Sequence, residues 1–145
     1  MRALSQSKSP LQAKLRGRYA ACDYFRVTGK RAACHWAWRH LLPLYGAIPD
    51  PGRVVRDGNV ITGGGVTAGI DFALTVLAEV GGEDLAQTLQ LGLEYAPAPP
   101  FESGRPETAP ARILEAYQER MAPFMPRREA EAREAAARLK GLAGS

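Results

Sequence analysis

The 145-residue sequence has little of several features that define whole classes of protein. Its two cysteines, Cys22 and Cys34, are too few for a disulfide framework, so nothing indicates an oxidising compartment. A long apolar run and a signal-peptide pattern are both absent, which argues against membrane insertion and secretion. The composition therefore predicts a cytoplasmic protein with one domain.

Positive charge is concentrated at the beginning of the chain. Residues 1 to 40 hold nine lysines and arginines against the single Asp23, whereas residues 41 to 145 hold ten against fourteen acidic residues. A basic arm can bind nucleic acid by releasing counterions, but neither a recognition-helix pattern nor a stacking aromatic platform accompanies this one. We interpret it as a solvated tail and expect no nucleic-acid partner.

The clearest local pattern lies between Val54 and Leu77. Two valines precede the turn signal Asp57-Gly58, and a second strand-forming segment follows it at residues 59 to 62. This pattern predicts a β-hairpin. The glycine triplet at 63 to 65 lacks the lysine of a P-loop and the spacing of a dinucleotide fingerprint. It is interpreted as a sharp turn that shapes the mouth of a pocket. Thr67 is the expected N-cap of a buried helix whose apolar positions are Ile70, Ala73, Leu74 and Leu77.

The segments around this block complete an alternation of strands and helices. Residues 31 to 35 are expected to form a strand, 36 to 45 an apolar helix limited by Pro43, and 48 to 52 a turn. Downstream, a leucine stripe predicts a helix with one buried face; its members are Leu85, Leu89 and Leu93. Thr108 should start a further helix with Ile113, Leu114 and Tyr117 on its core face, and residues 127 to 140 should form a solvated, charged helix.

Three segments resemble the C-terminal half of a DJ-1/PfpI family domain, and within that family an isonitrile hydratase: GKRAACHWAWRHLLPLYGA, DGNVITGGGVTAGIDFAL and EDLAQTLQLGLEYAPAPPF. The resemblance extends from Gly29 to about Met121. It implies a partial class I glutamine amidotransferase-like, that is flavodoxin-like, layered α/β domain, C-terminal half only. We accordingly divide the chain into a basic leader (1–28), a DJ-1/PfpI part (29–121) and a charged helical tail (122–145).

The resemblance also implies a reaction, the hydration of an isonitrile to an N-substituted formamide. It implies a nucleophilic cysteine on a tight strand-to-helix turn, an acidic partner, no metal or organic cofactor, and a homodimer. In the family both groups precede the segment that begins here at Gly29, and neither is recognisable in residues 1–28. We therefore expect no hydratase activity. The alternatives are a truncated, non-catalytic binding module and the regulatory domain of a transcription regulator.

Three residues are candidates for the site. Cys22 is followed by Asp23 and two aromatic residues, which do not favour a tight turn, and it lies too close to Gly29 for a helix to intervene. Cys34 matches an ordinary strand position and is interpreted as a small buried hydrophobe that faces away from His35. His35 matches a pocket position in the family and is the candidate catalytic-site residue, while the nucleophile is unknown.

Two further expectations concern metal and assembly. Cys22, Cys34, His35 and His40 do not have the spacing of a common zinc finger, so no metal site is predicted. Only about three strands are recognisable, too few for a sheet covered on both faces. We therefore expect dimerisation or poor solubility through a partly uncovered apolar surface formed by Trp36, Trp38, Leu41, Leu74 and Leu77.

Overall fold

A computed structural model describes residues 27–143. Cys22 and the leader up to residue 26 lie outside the described residues, and so do the predictions made for them. The elements follow in the order β1 (Arg31–Ala32), a 3₁₀ helix (Trp36–Tyr45), β2 (Ile48–Pro49), β3 (Val54–Asp57), β4 (Val60–Gly63), α1 (Ala68–Gly81), α2 (Glu83–Gly92), α3 (Ala111–Met121), a 3₁₀ turn (Ala122–Phe124) and α4 (Met125–Ala143).

Two small sheets lie at the centre of the fold. Strands β1 and β2 are parallel, with Arg31 opposite Ile48, and β3 and β4 form an antiparallel hairpin. The segment 48 to 52, predicted as a turn, therefore begins with a strand. The prediction was wrong for Ile48 and Pro49, because Ile48 donates its N–H to the Lys30 carbonyl at 2.8 Å, a partner that local turn chemistry cannot indicate. At residues 50 to 52 the Asp50 carboxylate accepts the Gly52 N–H at 2.8 Å, as in a turn.

The β-hairpin prediction is confirmed with a shift of one residue. Asp57 pairs with Val60, so the two loop residues are Gly58 and Asn59 rather than Asp57 and Gly58. Gly58 has φ +61°, whereas Asn59 stays at negative φ. A glycine at the first of two loop positions is the pattern of a II′ turn, whose twist suits a right-handed hairpin.

Side chains of the hairpin hold it against β1. The Asp57 carboxylate accepts the Arg31 N–H at 2.9 Å and lies 3.4 Å from the Lys30 ammonium. The Arg31 N–H, with Lys30 in support, outweighs burial and lowers the pKa of Asp57. The Thr62 hydroxyl accepts the Ala33 N–H at 2.8 Å. These bonds fix the chain leaving β1 beside the glycine triplet that follows β4.

The apolar run after β1 is helical, as predicted, but it forms a 3₁₀ helix from Trp36 to Tyr45 with Pro43 inside it. Proline supplies no backbone N–H, which weakens a regular α-helical ladder at this point. Helix α4 packs on this segment: the Tyr45 hydroxyl donates to the Ala132 carbonyl at 3.2 Å, and His40 Nε2 lies 3.3 Å from Glu129. The charged tail is therefore a docked helix rather than a wholly solvated one.

Burial differs most from the sequence-based expectation. The core cluster consists of small and medium side chains, Val27, Ala32, Leu42 and Ala47. Helix α1 buries only Ala68, and Ile70 is 45% exposed. The leucine stripe on α2 is also exposed, with Leu85 at 45% and Leu93 at 67%. The prediction that helix α1 is buried was therefore wrong for the chain in isolation. The prediction that the leucines of α2 form a buried face was wrong as well.

The helix ends combine confirmed and corrected predictions. Gly82, with φ +90°, ends α1 as expected, and the Glu129–Arg133 and Glu134–Arg138 pairs form on α4. Thr67 occupies the N-cap position of α1, but its side chain makes no capping bond. Helix α3 starts after Pro110 rather than at Thr108. Among residues 27–143, no helix is long and apolar enough to cross a membrane.

Candidate functional site

Cys34 lies in the short link between β1 and the 3₁₀ helix. Strand β1 ends at Ala32, so the prediction of a strand through His35 was wrong. The reason is that the Ala33 N–H binds the Thr62 hydroxyl instead of a neighbouring strand. Cys34 is half-buried, packs against the core cluster and lines a small cleft, and its thiol donates to the His35 carbonyl at 3.4 Å.

His35 is held in one orientation by two contacts. Its Nδ1 accepts the Ala37 N–H at 3.3 Å, and its ring stacks on Trp36 with a centroid separation of 5.7 Å. Because Nδ1 acts as the acceptor, the neutral imidazole carries its hydrogen on Nε2. His35 is thus arranged to donate a hydrogen bond rather than to take a proton through Nδ1.

The glycine triplet lies against this histidine. A Cβ placed on Gly65 would come within 3.2 Å of His35 Cδ2, and one on Gly64 within 3.4 Å of the Arg53 carbonyl oxygen. Within the described part of the chain, the positive-φ glycines are 29, 46, 58 and 82, so the triplet does not use left-handed backbone. The predicted turn out of the strand is present, since the Ala68 N–H donates to the Gly65 carbonyl at 2.9 Å, and the glycines also permit close approach.

The cleft has a volume of about 60 Å³. Its lining includes Cys34, Trp36, the glycines at 64 and 65, and the segments 51 to 53 and 104 to 106. Three arginines, Arg39, Arg53 and Arg105, also line it. The side chain of His35 is behind Gly65 and is not part of this lining.

Arg53 joins the hairpin to the start of helix α1. Its guanidinium donates to the Thr67 carbonyl at 2.6 Å and is paired with the Asp71 carboxylate, which also accepts the Tyr95 hydroxyl at 2.7 Å. Burial is the largest single influence and would raise the pKa of Asp71, but the hydrogen bonds from Arg53 and Tyr95 together lower it. The hydrogen bond with Asp71 raises the pKa of Arg53 against the opposing effect of burial.

Trp36 also lines a wider groove of about 550 Å³. The groove runs between the 3₁₀ helix and helices α3 and α4, and it is lined mainly by apolar side chains. Tyr117 packs on Trp36 there, with ring centroids 5.1 Å apart. The His40–Glu129 pair lies at its edge. Trp36 therefore lines both the polar cleft and the apolar groove.

The three arginines of the cleft were not predicted from the sequence. They are distributed over 67 positions of sequence, from Arg39 to Arg105, and no local motif connects them. Cys22 lies outside the described residues, so the structure does not bear on its relation to the cleft. In the part of the chain that the structure covers, no three His, Cys, Asp or Glu side chains are grouped so that they could hold a metal ion.

Comparison with known proteins relates this arrangement to a family. No family model matches the chain. An isonitrile hydratase from Pseudomonas putida is 58% identical over 113 residues, which are 78% of this chain and 50% of that protein. The crystal structure of a ThiJ/PfpI family protein from Pseudomonas syringae is similar with a TM-score of 0.67 and 44% identity, over 76% of this chain and 44% of that one.

The chain belongs to the DJ-1/PfpI family. Its structure is part of the flavodoxin-like α/β domain of that family, so the sequence-based predictions of family and fold are confirmed. The chain spans about half the length of the curated relative that it matches. The division at residues 28 and 121, the site role of His35 and the absence of a nucleophile stay predictions.

Proposed function

We propose that this chain forms part of an isonitrile-binding site of the isonitrile hydratase type, and that it binds an isonitrile without hydrating it. The position of Cys34 in the cleft wall, with its thiol donating to the His35 carbonyl, carries the proposal. The similarity to the Pseudomonas putida isonitrile hydratase supports the choice of ligand. Among the alternatives, the cleft lined by Cys34 favours the binding module, whereas the role in a transcription regulator stays a prediction.

Hydration requires a nucleophile at the terminal carbon of the isonitrile, delivery of a proton to that carbon, and water as the source of the formamide oxygen. A cysteine serves as nucleophile in its thiolate form. The His35 Nδ1 is occupied by the Ala37 N–H, so it does not take the proton of Cys34. Within this proposal, His35 is therefore not the base that generates a thiolate.

His35 and Trp36 would instead position the ligand. His35 would act through Trp36, on which its ring stacks with centroids 5.7 Å apart, and would hold the indole in place beside the ligand. Trp36 lines both the cleft and the apolar groove, and the groove offers about 550 Å³ to the side group of the isonitrile. This placement explains how a small polar head and an apolar substituent could be bound together.

The decisive experiment measures formamide production and isonitrile binding with the same purified chain. We expect no formamide above background with a simple alkyl isonitrile, while the Pseudomonas putida isonitrile hydratase serves as the positive control. On titration with the isonitrile, we expect a saturable shift of the Trp36 indole N–H resonance. The affinity for the isonitrile should fall severalfold in His35→Ala.

The cysteine variants Cys22→Ala and Cys34→Ala separate the remaining outcomes. If the wild-type chain produces formamide and one of these variants does not, the replaced cysteine is the nucleophile. That result would refute binding without turnover. A folded wild-type chain whose Trp36 resonance does not respond to isonitrile would refute the binding site itself.

A further inference from the structure

The cleft beside Cys34 has an unusual charge composition. Three guanidinium groups line it, and no aspartate or glutamate side chain does. Arg53 is engaged by Asp71 and Thr67, so its charge is compensated within the fold. The positive character of the cleft therefore depends on Arg39 and Arg105.

Arg39 carries a donor without an acceptor. Its Nε is buried and has no hydrogen-bond partner among residues 27–143. Its Nη1 forms an ion pair with Glu107 Oε1 at 3.5 Å, but the Glu107 side chain is 55% exposed, so solvent screens this pair. A buried N–H of a charged group is costly to leave unpaired, and such groups normally have an acceptor. Arg39 therefore lines the cleft with a charged side chain whose hydrogen-bonding capacity is not fully used within the described residues.

Arg105 contributes the second positive charge. It lies in the segment before α3, its residue is exposed, and its side chain forms no ion pair within the part of the chain that the structure covers. It reaches the cleft from the lining segment 104 to 106. An anion in the cleft would therefore have the Arg39 side chain and the exposed Arg105 side chain as its two cationic neighbours.

We propose that this cleft binds a small carboxylate through Arg39 and Arg105. A volume of about 60 Å³ accommodates a carboxylate group but not a ring, since cavities that hold benzene measure roughly 150 Å³. A planar carboxylate also matches the fork of donors that a guanidinium presents. The proposal does not rest on isonitrile binding, because an isonitrile is neutral and would not need these charges.

The test is a titration of the isotope-labelled full chain with acetate at constant ionic strength, followed by the indole N–H resonance of Trp36. Acetamide is the matched uncharged ligand. We expect a saturable shift with acetate and none with acetamide. Arg39→Gln and Arg105→Gln should each raise the dissociation constant for acetate by about tenfold or more. Arg112→Gln, an exposed arginine of α3 outside the cleft lining, should leave it unchanged.

Other results would overturn the proposal. These are equal binding of acetamide, an unchanged acetate affinity in Arg105→Gln, or a response that does not saturate and follows ionic strength. Arg105 is exposed, so this variant decides the matter even if Arg39→Gln fails to fold. The carboxylate could belong to a small molecule or to the C-terminus of a protein chain. A short peptide with a free C-terminal carboxylate, compared with its amidated form, distinguishes these two sources. Tighter binding of the free peptide than of acetate would identify a chain terminus.

Discussion

Asp71 connects three parts of the chain that are distant in sequence. Its carboxylate pairs with Arg53 from the start of the hairpin, accepts the Tyr95 hydroxyl at 2.7 Å, and lies in the first turn of helix α1, where negative charge favours the helix. Because two donors stabilise the charged form, Asp71 should contribute more to folding than an average surface acid.

We predict that Asp71→Asn lowers the free energy of unfolding by about 1 kcal/mol at neutral pH. The folded-state pKa of Asp71 is lowered below its ordinary value of 3.8, so its contribution is complete above that value and is lost as the pH falls through the folded pKa. Urea denaturation at several pH values should show the two proteins converging below about pH 4. Glu115→Gln, an exposed change on α3, is the control, and a difference that is independent of pH would contradict the prediction.

Gly65 sets the distance between the glycine triplet and His35. A methyl group at this position would lie 3.2 Å from His35 Cδ2, and the ring cannot easily retreat because it stacks on Trp36 and binds the Ala37 N–H. We predict that Gly65→Ala destabilises the fold by about 1 kcal/mol and shifts the imidazole resonances of His35.

Gly69→Ala is the matched control for this substitution. Gly69 is an exposed glycine of helix α1, and a methyl group added to it would have no neighbouring atom within 4 Å, so alanine should stabilise the helix by up to about 1 kcal/mol. Thermal unfolding and heteronuclear spectra distinguish the two variants. Equal effects on stability, or an unmoved His35 ring in Gly65→Ala, would show that the triplet does not constrain the site.

At the level of elements, helix α2 shows how a regular apolar pattern can be exposed. Its stripe has the spacing of a buried face, yet Leu89 is 41% exposed and Ala86 is the buried residue of the helix. Periodicity indicates which side chains share a face of a helix but not whether another element covers that face.

We predict that Leu89→Gln changes the free energy of unfolding by no more than about 0.5 kcal/mol, whereas Leu42→Ala in the core cluster costs about 2 to 4 kcal/mol. Urea denaturation at low protein concentration measures both, and Leu42, at 4% exposed, is the internal reference. A cost for Leu89→Gln similar to that of Leu42→Ala would mean that the stripe is covered in solution.

At the scale of the whole molecule, no large side chain of the described residues is less than 2% exposed. All five members of the apolar surface predicted to mediate dimerisation are half-buried; they are Trp36, Trp38, Leu41, Leu74 and Leu77. A fold with so shallow a core leaves apolar area available for association. The homodimer stays a prediction.

Sedimentation equilibrium tests the homodimer directly. We expect a reversible dimer whose dissociation constant rises by about tenfold in Leu74→Gln, because a polar side chain is then placed in the association surface. Leu91→Gln should have no effect, since Leu91 is 83% exposed and outside that surface. A monomeric wild-type chain at all concentrations would refute the prediction.

The sequence by itself determined the features whose causes are local. Gly58 and the flanking valines specify the hairpin, Gly82 ends α1, and charged residues four apart pair along α4, because each depends on neighbours within one turn of chain. The family, and with it the fold, was also recognisable from contiguous segments. These features need no knowledge of distant partners.

Only the tertiary structure decided which surfaces are covered and which distant groups meet. The pairing of Ile48 with Arg31, the loss of strand structure at Cys34, and the exposure of the α2 leucines all depend on residues far away in sequence. The same holds for the cleft, where Arg39, Arg53 and Arg105 meet beside Cys34. Long-range hydrogen bonds and packing place them there, and no local period in the sequence encodes such contacts.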